Sequence, residues 1–386
     1  MKKKFSITAI FLCISLIFGA CGNNPGADNP VGNGKDPVKD AAQYKLDALR
    51  PVAYSTADGL SLEPGSTISI IGRYADDSYW KEVEAGAKKA VADLNDLLGY
   101  KGNNKIKLIY SAPETRDDVN EQINLLDEEL DKAPIAIGIA AIDATACQIQ
   151  FDLAAENSIP IVTFDSGSNY QHIAAHISTD NIDASKTAAA KLAHAVDGKG
   201  EVAVFVQDSI SMTASHRLQG FMDVIKNEYP EITVVNVYHM DQLQAMQQTI
   251  ADEKNATLPA GEEPINSSDL SQEDVVKYIL EKFPNLKGVY ATNLDTTQLV
   301  AKVLDKVEKT DLKFVGFDGG DKQMQLLKNG VLEGLVIQNP YGMGYAAVIA
   351  AARVSLGLGN ESFVNSGYTW VTKENMDKDS IKGMLY

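Results

Sequence analysis

The sequence is poor in cysteine and tryptophan, with three Cys and two Trp in 386 residues. So few thiols exclude a disulfide-stapled scaffold. Positive charge is also short: 35 Lys and Arg stand against 52 Asp and Glu, a net charge of −17. That leaves no basic footprint on which a phosphate backbone could dock, so nucleic acid is excluded as a partner. Beyond the N-terminus no apolar run approaches the roughly 18 residues a membrane span requires, and runs such as 346–352 suit buried α/β packing instead. The recognisable catalytic signatures are missing as well: no Gly-x-Ser-x-Gly elbow, no phosphate loop with its lysine, no paired-Cys metal motif. The histidines, His172, His176, His194, His216 and His239, lack metalloprotease spacing. No metal, cofactor or enzymatic activity is expected. What is present is ample apolar material, 45% hydrophobic against 23% charged, in a chain long enough for two ordinary domains.

The N-terminus reads as an address. Lys2, Lys3 and Lys4 precede the apolar run from Phe5 to Phe18 and then Gly19-Ala20-Cys21, the plan of a secretory signal over residues 1–20. The small-small-Cys ending resembles a bacterial lipobox, with Phe18 where an aliphatic residue is more usual. That resemblance implies lipidation of Cys21 as the mature N-terminus and an extracytoplasmic protein anchored by lipid to the bacterial cell membrane. Residues 21–44 follow as a flexible tether, dense in turn formers between Gly22 and Gly34. Removal of residues 1–20 takes away three Lys and no acid, so the mature charge becomes −20. Cys147 then stands alone and is expected to be a small buried apolar residue rather than a nucleophile.

From Thr67 onward short apolar runs alternate with amphipathic segments, which predicts βαβ units and parallel sheets, an α/β protein. Strands are expected at 68–72, 106–110, 135–139 and 159–164, with helices over 78–98, 119–130 and 144–155. After Asn181 the alternation restarts with helix 184–196, strand 202–207, helix 216–227, strand 233–238 and strand 288–292. It continues through helix 297–307, strand 314–317, helix 322–329, strand 335–338 and helix 344–356. Residues 241–275 break the rhythm and are expected to form an insertion on the edge of the second lobe, without chemistry of its own. There Ser271-x-x-Asp274 reads as a capping box opening a helix over 275–283. Residues 45–65 form an N-terminal extension whose Leu46, Leu49 and Val52 are candidates to pack on the first lobe.

Ligands of open α/β sheets bind outside the carboxyl ends of the strands. Asp77, Asp165 and Asp318 all stand at such strand ends, joined by Arg217, Asn293 and Gln338. Any single acid there could equally be a helix N-cap. Together, planar donors and acceptors converging from two lobes suit hydroxyl groups, whose directional hydrogen bonds a closed cleft can satisfy. Tyr79 and Trp80 beside Asp77, and Phe317 beside Asp318, add flat apolar surfaces. A sugar ring, with hydroxyls at its rim and C–H faces above and below, calls for that combination. Gly342-Met343-Gly344 imitates a dinucleotide fingerprint, but Asn339-Pro340-Tyr341 separates it from the preceding strand; close helix packing is the plainer account.

Four stretches resemble the periplasmic binding protein family that includes ribose- and galactose-binding proteins and the ligand-binding part of lactose-repressor-like regulators. They are Asp77-Ser78-Tyr79-Trp80 with Gly86; Ile159 to Ser166 followed by Thr179-Asp180-Asn181; Ser215-His216-Arg217 to Phe221; and Val315-Gly316-Phe317-Asp318-Gly319 followed by Gln338. The resemblance implies two doubly wound parallel-sheet lobes joined by a three-stranded hinge, with crossings near Thr179, Gln338 and Thr369. The first lobe would combine residues 66–179 with 339–368 and the second 180–338 with 369–386. Tyr79 and Trp80 resemble the family's ring-stacking aromatics; Asp165, Arg217, Asn293, Asp318 and Gln338 resemble its hydroxyl-binding residues, with Asp77 a polar contact before the aromatics. Ser166 stands where ribose binders carry Arg, and Asp77 where they carry Asn, which speaks against ribose itself. The family implies a monomer that captures a sugar and delivers it to an ABC importer permease. A sensor presenting a sugar or an autoinducer to a membrane receptor is the alternative. An extracellular glycosidase would need two carboxylates flanking the scissile bond. A transcription regulator is excluded by the signal and tether that stand where a DNA-binding helix-turn-helix would sit.

Overall fold

The computed structural model describes residues 41–307 and 311–386. The signal, Cys21 and most of the tether lie outside the described residues. Twelve strands form two six-stranded sheets. In chain order they are β1 (Thr67–Ile71), β2 (Lys107–Ser111), β3 (Ala136–Ile139), β4 (Ile161–Phe164), β5 (His176–Ser178) and β6 (Gly200–Val206). Then follow β7 (Ile232–His239), β8 (Leu286–Ala291), β9 (Lys313–Phe317), β10 (Gly334–Gln338), β11 (Phe363–Asn365) and β12 (Tyr368–Val371). The N-lobe sheet runs β11-β5-β4-β3-β1-β2 and the C-lobe sheet β12-β10-β9-β8-β6-β7. Every pairing is parallel except β10 with β12. Buried on both faces, the strands read as near-continuous apolar runs; β3, β4 and β10 are buried at every position.

The helices are α1 (Ala41–Asp47), α2 (Ser78–Leu98), α3 (Val119–Asp131), α4 (Gln148–Glu156), α5 (Asn181–Ala195) and α6 (Met212–Glu228). Next come α7 (Leu243–Ala256), α8 (Gln272–Lys282), α9 (Leu294–Leu304), α10 (Asp321–Lys328), α11 (Pro340–Ser355) and α12 (Asp379–Lys382). Helix α2 has the predicted bounds because both ends carry their own signals. Asp77 Oδ1 accepts the Trp80 N–H at 2.8 Å, and Gly99 ends the helix in the left-handed conformation at φ 68°. Helix α11 begins on Pro340, and its Gly344 is spent on a helix crossing. A Cβ on Gly344 would lie 1.9 Å from the Val83 carbonyl, and one on Gly86 1.9 Å from that of Tyr341. Of the dinucleotide-like glycines, Gly344 is therefore a contact with α2, and Gly342 makes room for the Asn339 cap, whose Oδ1 accepts its N–H at 3.0 Å.

Three differences from the sequence reading matter. Residues 241–275 contain a further helix, α7, whose buried positions are only Ile250 and Ala251, too few to print a stripe. The capping box forms as expected, but on a helix that starts at Gln272. Residues 41–44, assigned to the tether, belong to α1, and the extension that follows packs Leu46, Leu49, Tyr54, Leu60 and Leu62 into the N-lobe core, while Val52 is exposed.

The chain passes between the sheets three times. The third passage is complete by Gly367, since Tyr368 already pairs with Gln338 in the C-lobe sheet. The passages are tied together: Thr179 Oγ1 donates to Gln338 Oε1 at 3.0 Å, and Asn339 Nδ2 donates to the Ser366 carbonyl at 2.9 Å. The same amide reaches the Lys45 carbonyl at 2.7 Å, so the N-terminal extension is fastened to the hinge.

Candidate functional site

Between the lobes lies a cavity of about 310 Å³. Eight of the nine residues singled out from the sequence line it: Asp77, Tyr79, Trp80, Asp165, Arg217, Asn293, Asp318 and Gln338. The ninth is a correction. Phe317 does not reach the cavity; as the last residue of β9 its ring is fully buried in the C-lobe core. Adjacent residues of a strand face opposite ways. The Phe317 ring instead carries the Arg217 guanidinium at 3.9 Å from its centroid, so it orients the site from beneath.

Asp165 and Asp318 are the geometric counterparts of the two lobes. Each follows a central strand, β4 or β9, and each adopts the left-handed conformation, φ 55° and 73°, in which a non-glycine residue is held only by its surroundings. The Tyr79 hydroxyl donates to Asp165. Asp318 Oδ1 accepts from Gln338 Nε2 at 2.6 Å and the Tyr386 hydroxyl at 3.1 Å, and its Oδ2 from the Leu294 N–H at 2.7 Å. Burial pushes both carboxyls above their usual range. The Tyr79 hydroxyl, Arg73 and Arg217 oppose the rise at Asp165; Arg217, Gln338, Leu294 and Tyr386 oppose it at Asp318.

Arg217 is fixed on three sides. Its Nε donates to Asn181 Oδ1 at 2.8 Å, and its Nη1 to the Thr292 carbonyl at 2.7 Å and to Gln207 Oε1 at 3.3 Å. Its Nη2 has no hydrogen-bond partner among the described residues and is left for the cavity. Asp77 and Asn293 also serve as helix caps: Asn293 Oδ1 receives the Thr296 N–H at 3.0 Å, which frees its amide nitrogen. Asp77 is more fully committed, since its Oδ2 takes Arg116 at 2.9 Å. Trp80 is almost wholly buried, edge-on to Tyr79 and Phe164, and meets the cavity with little of its surface.

The sequence reading missed a second set of residues, the ionic bridges across the cleft. Arg116 Nη1 reaches Asp295 of the C-lobe at 3.1 Å, and Arg73 reaches Asp117 at 2.6 Å within its own lobe and Asp208 of the C-lobe at 3.4 Å. Burial opposes the charge of Arg73, yet Asp117, Asp208 and Asp165 outweigh it and raise its pKa. The strand-end rule that found Asp165 would also have found Arg73 after β1, and Gln207 and Asp208 after β6. The insertion contributes too, with Gln272 on the cavity wall beside Met240, the residue just before it. In all, six aspartates and three arginines line the cavity, which is net acidic.

The other candidate chemistries resolve into packing. Cys147 is buried, and its burial pushes the thiol up to about 11, the opposite of what a nucleophile needs. His176 is neutral, held against the Thr163 hydroxyl at 3.0 Å, with its pKa lowered to about 4 by burial. Among the described residues no cluster of His, Cys, Asp and Glu is arranged to hold a metal ion, and no helix is long and apolar enough to cross a membrane.

Known proteins resemble this chain in sequence and fold. The chain is 27% identical over 289 residues to the D-apiose import binding protein of Actinobacillus succinogenes, covering 74% of this chain and 80% of that one. It is 22% identical to the ribose import binding protein RbsB of Escherichia coli, over 79% and 90% of the two chains. A carbohydrate transporter solute-binding protein from Agrobacterium radiobacter, solved with D-arabinose, superposes with a TM-score of 0.67 at 29% identity, over 83% of this chain and 99% of that one. The two parallel-sheet lobes are those of a type I periplasmic binding protein. Residues 68–359, from the first strand of the N-lobe to beyond α11, match the periplasmic binding protein domain, and the chain belongs to that family.

Proposed function

We propose that this protein is an extracytoplasmic solute receptor that captures a small neutral polyhydroxylated ligand, a pentose, hexose or polyol, and delivers it to an ABC importer. The observation that carries this reading is the meeting of Asp165 from one lobe with Asp318 and the free Nη2 of Arg217 from the other in one cavity. A ligand held by both lobes favours their closure, which is the signal a permease can read. Relatives named for D-apiose, ribose and D-arabinose support a monosaccharide. Asp165, Asp318 and Gln338 would accept or donate to hydroxyls, with Arg217 and Asn293 donating. Tyr79 and Trp80 would offer ring faces or edges, and Asp77 would act through Arg116.

The protein would act as a monomer without a cofactor and return its ligand chemically unchanged, tethered to the membrane through lipid at Cys21. Thermal-shift screening against pentoses, hexoses, polyols and furanosyl signals, followed by calorimetry, tests the ligand class, because a ligand that binds only the folded state raises its stability. Stabilisation by no sugar or polyol would refute the reading. Recovery of bound sugar unaltered distinguishes receptor from enzyme. Loss of membrane fractionation in a Cys21→Ala protein tests the anchor.

A further inference from the structure

Two tyrosines far apart in the chain meet below the cleft. Tyr79 of α2 and Tyr386 stand edge to face, ring centroids 5.5 Å apart at an interplanar angle of 81°. The Tyr79 hydroxyl donates to Asp165 of the N-lobe. The Tyr386 hydroxyl donates to Asp318 Oδ1 of the C-lobe at 3.1 Å and accepts the Gly319 N–H at the same distance. The chain Asp165, Tyr79, Tyr386, Asp318 thus spans the lobes, and the Tyr386 ring packs against the apolar cores of both. The segment that delivers Tyr386 is braced in turn, since Gly383 lies so close to Tyr44 of α1 that a Cβ there would sit 2.9 Å from its ring. Residues 360–386 fall outside the family match, which ends at 359.

We propose that Tyr386 is a positioning residue for ligand capture: its hydroxyl fixes the Asp318 carboxylate, and its ring against Tyr79 couples that carboxylate to Asp165 across the cleft. This rests on the reading that the cavity binds a polyhydroxylated ligand. Asp318 sits at positive φ with its backbone N–H bound to the Val336 carbonyl at 2.7 Å, so its carboxylate orientation depends on the donors around it. Gln338 and Tyr386 share Oδ1, while the Leu294 N–H takes Oδ2, leaving the outer lone pairs to the cavity. Without the Tyr386 hydroxyl Oδ1 would keep the Gln338 amide as its one side-chain donor, so the carboxylate would be less firmly set and less charge-stabilised, and the Gly319 N–H would lose its acceptor.

The test is Tyr386→Phe, which keeps the ring and removes only the hydroxyl. A hydrogen bond to a charged acceptor corresponds to roughly a 10-fold loss of affinity for the best sugar of the screen. The readout that a merely structural role would not move is the titration of Asp318. That carboxyl faces Arg217 from α6, Tyr290 from β8, Leu294 N–H and Asp295 from α9, Gln338 from β10, Tyr79 from α2, and Tyr386 itself. Only the last changes in the variant. Carboxyl-carbon NMR of the ligand-free protein should show Asp318 titrating at higher pH in Tyr386→Phe than in wild type, and the acid limb of the binding profile should move with it. An unmoved Asp318 titration, or affinity unchanged in Tyr386→Phe where the wild type binds sugar, overturns the proposal. If the wild type binds no sugar, the functional reading fails by itself, while the NMR titration still decides whether Tyr386 fixes Asp318. Tyr386→Ala should lose more affinity than Tyr386→Phe, and equality of the two would sink the coupling through the ring.

Discussion

Replacing Arg73 with methionine keeps the length of its stem and removes the charge that joins the lobes. In the structure its guanidinium sits between Asp117 of the N-lobe and Asp208 of the C-lobe, and its side chain is only 8% exposed, against 10% for that of Asp208. Breaking a buried pair by removing one partner costs about 3–5 kcal/mol, because the other charge is left uncompensated. Two features lower that figure here. Asp208 keeps the N–H groups of Ile210 and Ser211 at 3.1 and 2.7 Å and the Ser211 hydroxyl at 2.9 Å. Asp117 is half exposed, so water screens it. A cost of about 2–3 kcal/mol remains, and on the proposed closure most of it falls on the closed form, because the Asp208 contact crosses between the lobes.

Apparent affinity should therefore weaken by roughly 30- to 150-fold in Arg73→Met. Calorimetry measures the loss, and small-angle scattering with and without ligand reports whether the variant stays open at concentrations that close the wild type. Asp208→Asn keeps an acceptor for the same backbone N–H groups; it gives up the longer 3.4 Å contact and makes the Ser211 hydroxyl an acceptor instead of a donor, but Arg73 keeps Asp117, so its loss should be smaller, about 1 kcal/mol. Wild-type affinity in Arg73→Met, or weakened affinity with an unchanged closed fraction, would refute the bridge as a determinant of closure.

Asp318→Ala and Asp165→Ala should each weaken binding by ~10- to ~100-fold without unfolding the protein, as each removes a charged acceptor worth about 1.5–3 kcal/mol; calorimetry on the folded variants checks it, and unchanged affinity in both removes them from the site. Gly344→Val should fail to fold or melt far below wild type, because its side chain would meet the Val83 carbonyl at 1.9 Å; a wild-type melting temperature would contradict the α2/α11 crossing. His176, whose pKa falls from 6.5 to about 4 on folding, contributes stability that is present above pH 6.5 and lost as pH falls toward 4. His176→Gln should remove up to about 3 kcal/mol of the difference in stability between pH 7 and pH 4 in urea titrations, and an unaltered pH dependence would exclude burial of a neutral imidazole.

The fold was legible because parallel strands buried on both faces print themselves as apolar runs, and because α2 and α8 carry side-chain caps that mark their starts. Helix α7 was not legible for the converse reason: it rests on a lobe edge and buries two residues, so its periodicity is nearly all polar. The same contrast holds within the site. Asp165 and Asp318 were found by their place after a strand, a rule of topology. Phe317 was drawn in by adjacency to Asp318, although neighbouring strand residues face opposite sides, and the backbone turns the carboxylate toward the cleft only beyond the strand's end.

What no local rule could have found are the contacts that depend on the two lobes being together. Arg116 lies in a loop between β2 and α3, and its importance comes from Asp77, 39 residues away, and from Asp295 in the other lobe. Tyr386 stands 68 residues after Asp318 and reaches it only because the chain returns to the hinge after β12. In a binding protein these are the interactions that convert occupancy of the cleft into a shape. The acids proposed to meet the ligand can be read one strand at a time, whereas the bridges between the lobes join residues that only the assembled fold brings together. Sequence changes that tune affinity without changing the ligand should therefore fall on Arg73, Arg116, Asp208, Asp295 and Tyr386. Exchanging these residues between relatives of the same sugar preference, with calorimetry against two sugars, checks this: the ratio of the two affinities should hold constant while both shift together. A ratio that moves with the exchange would place these residues in the ligand contact set instead.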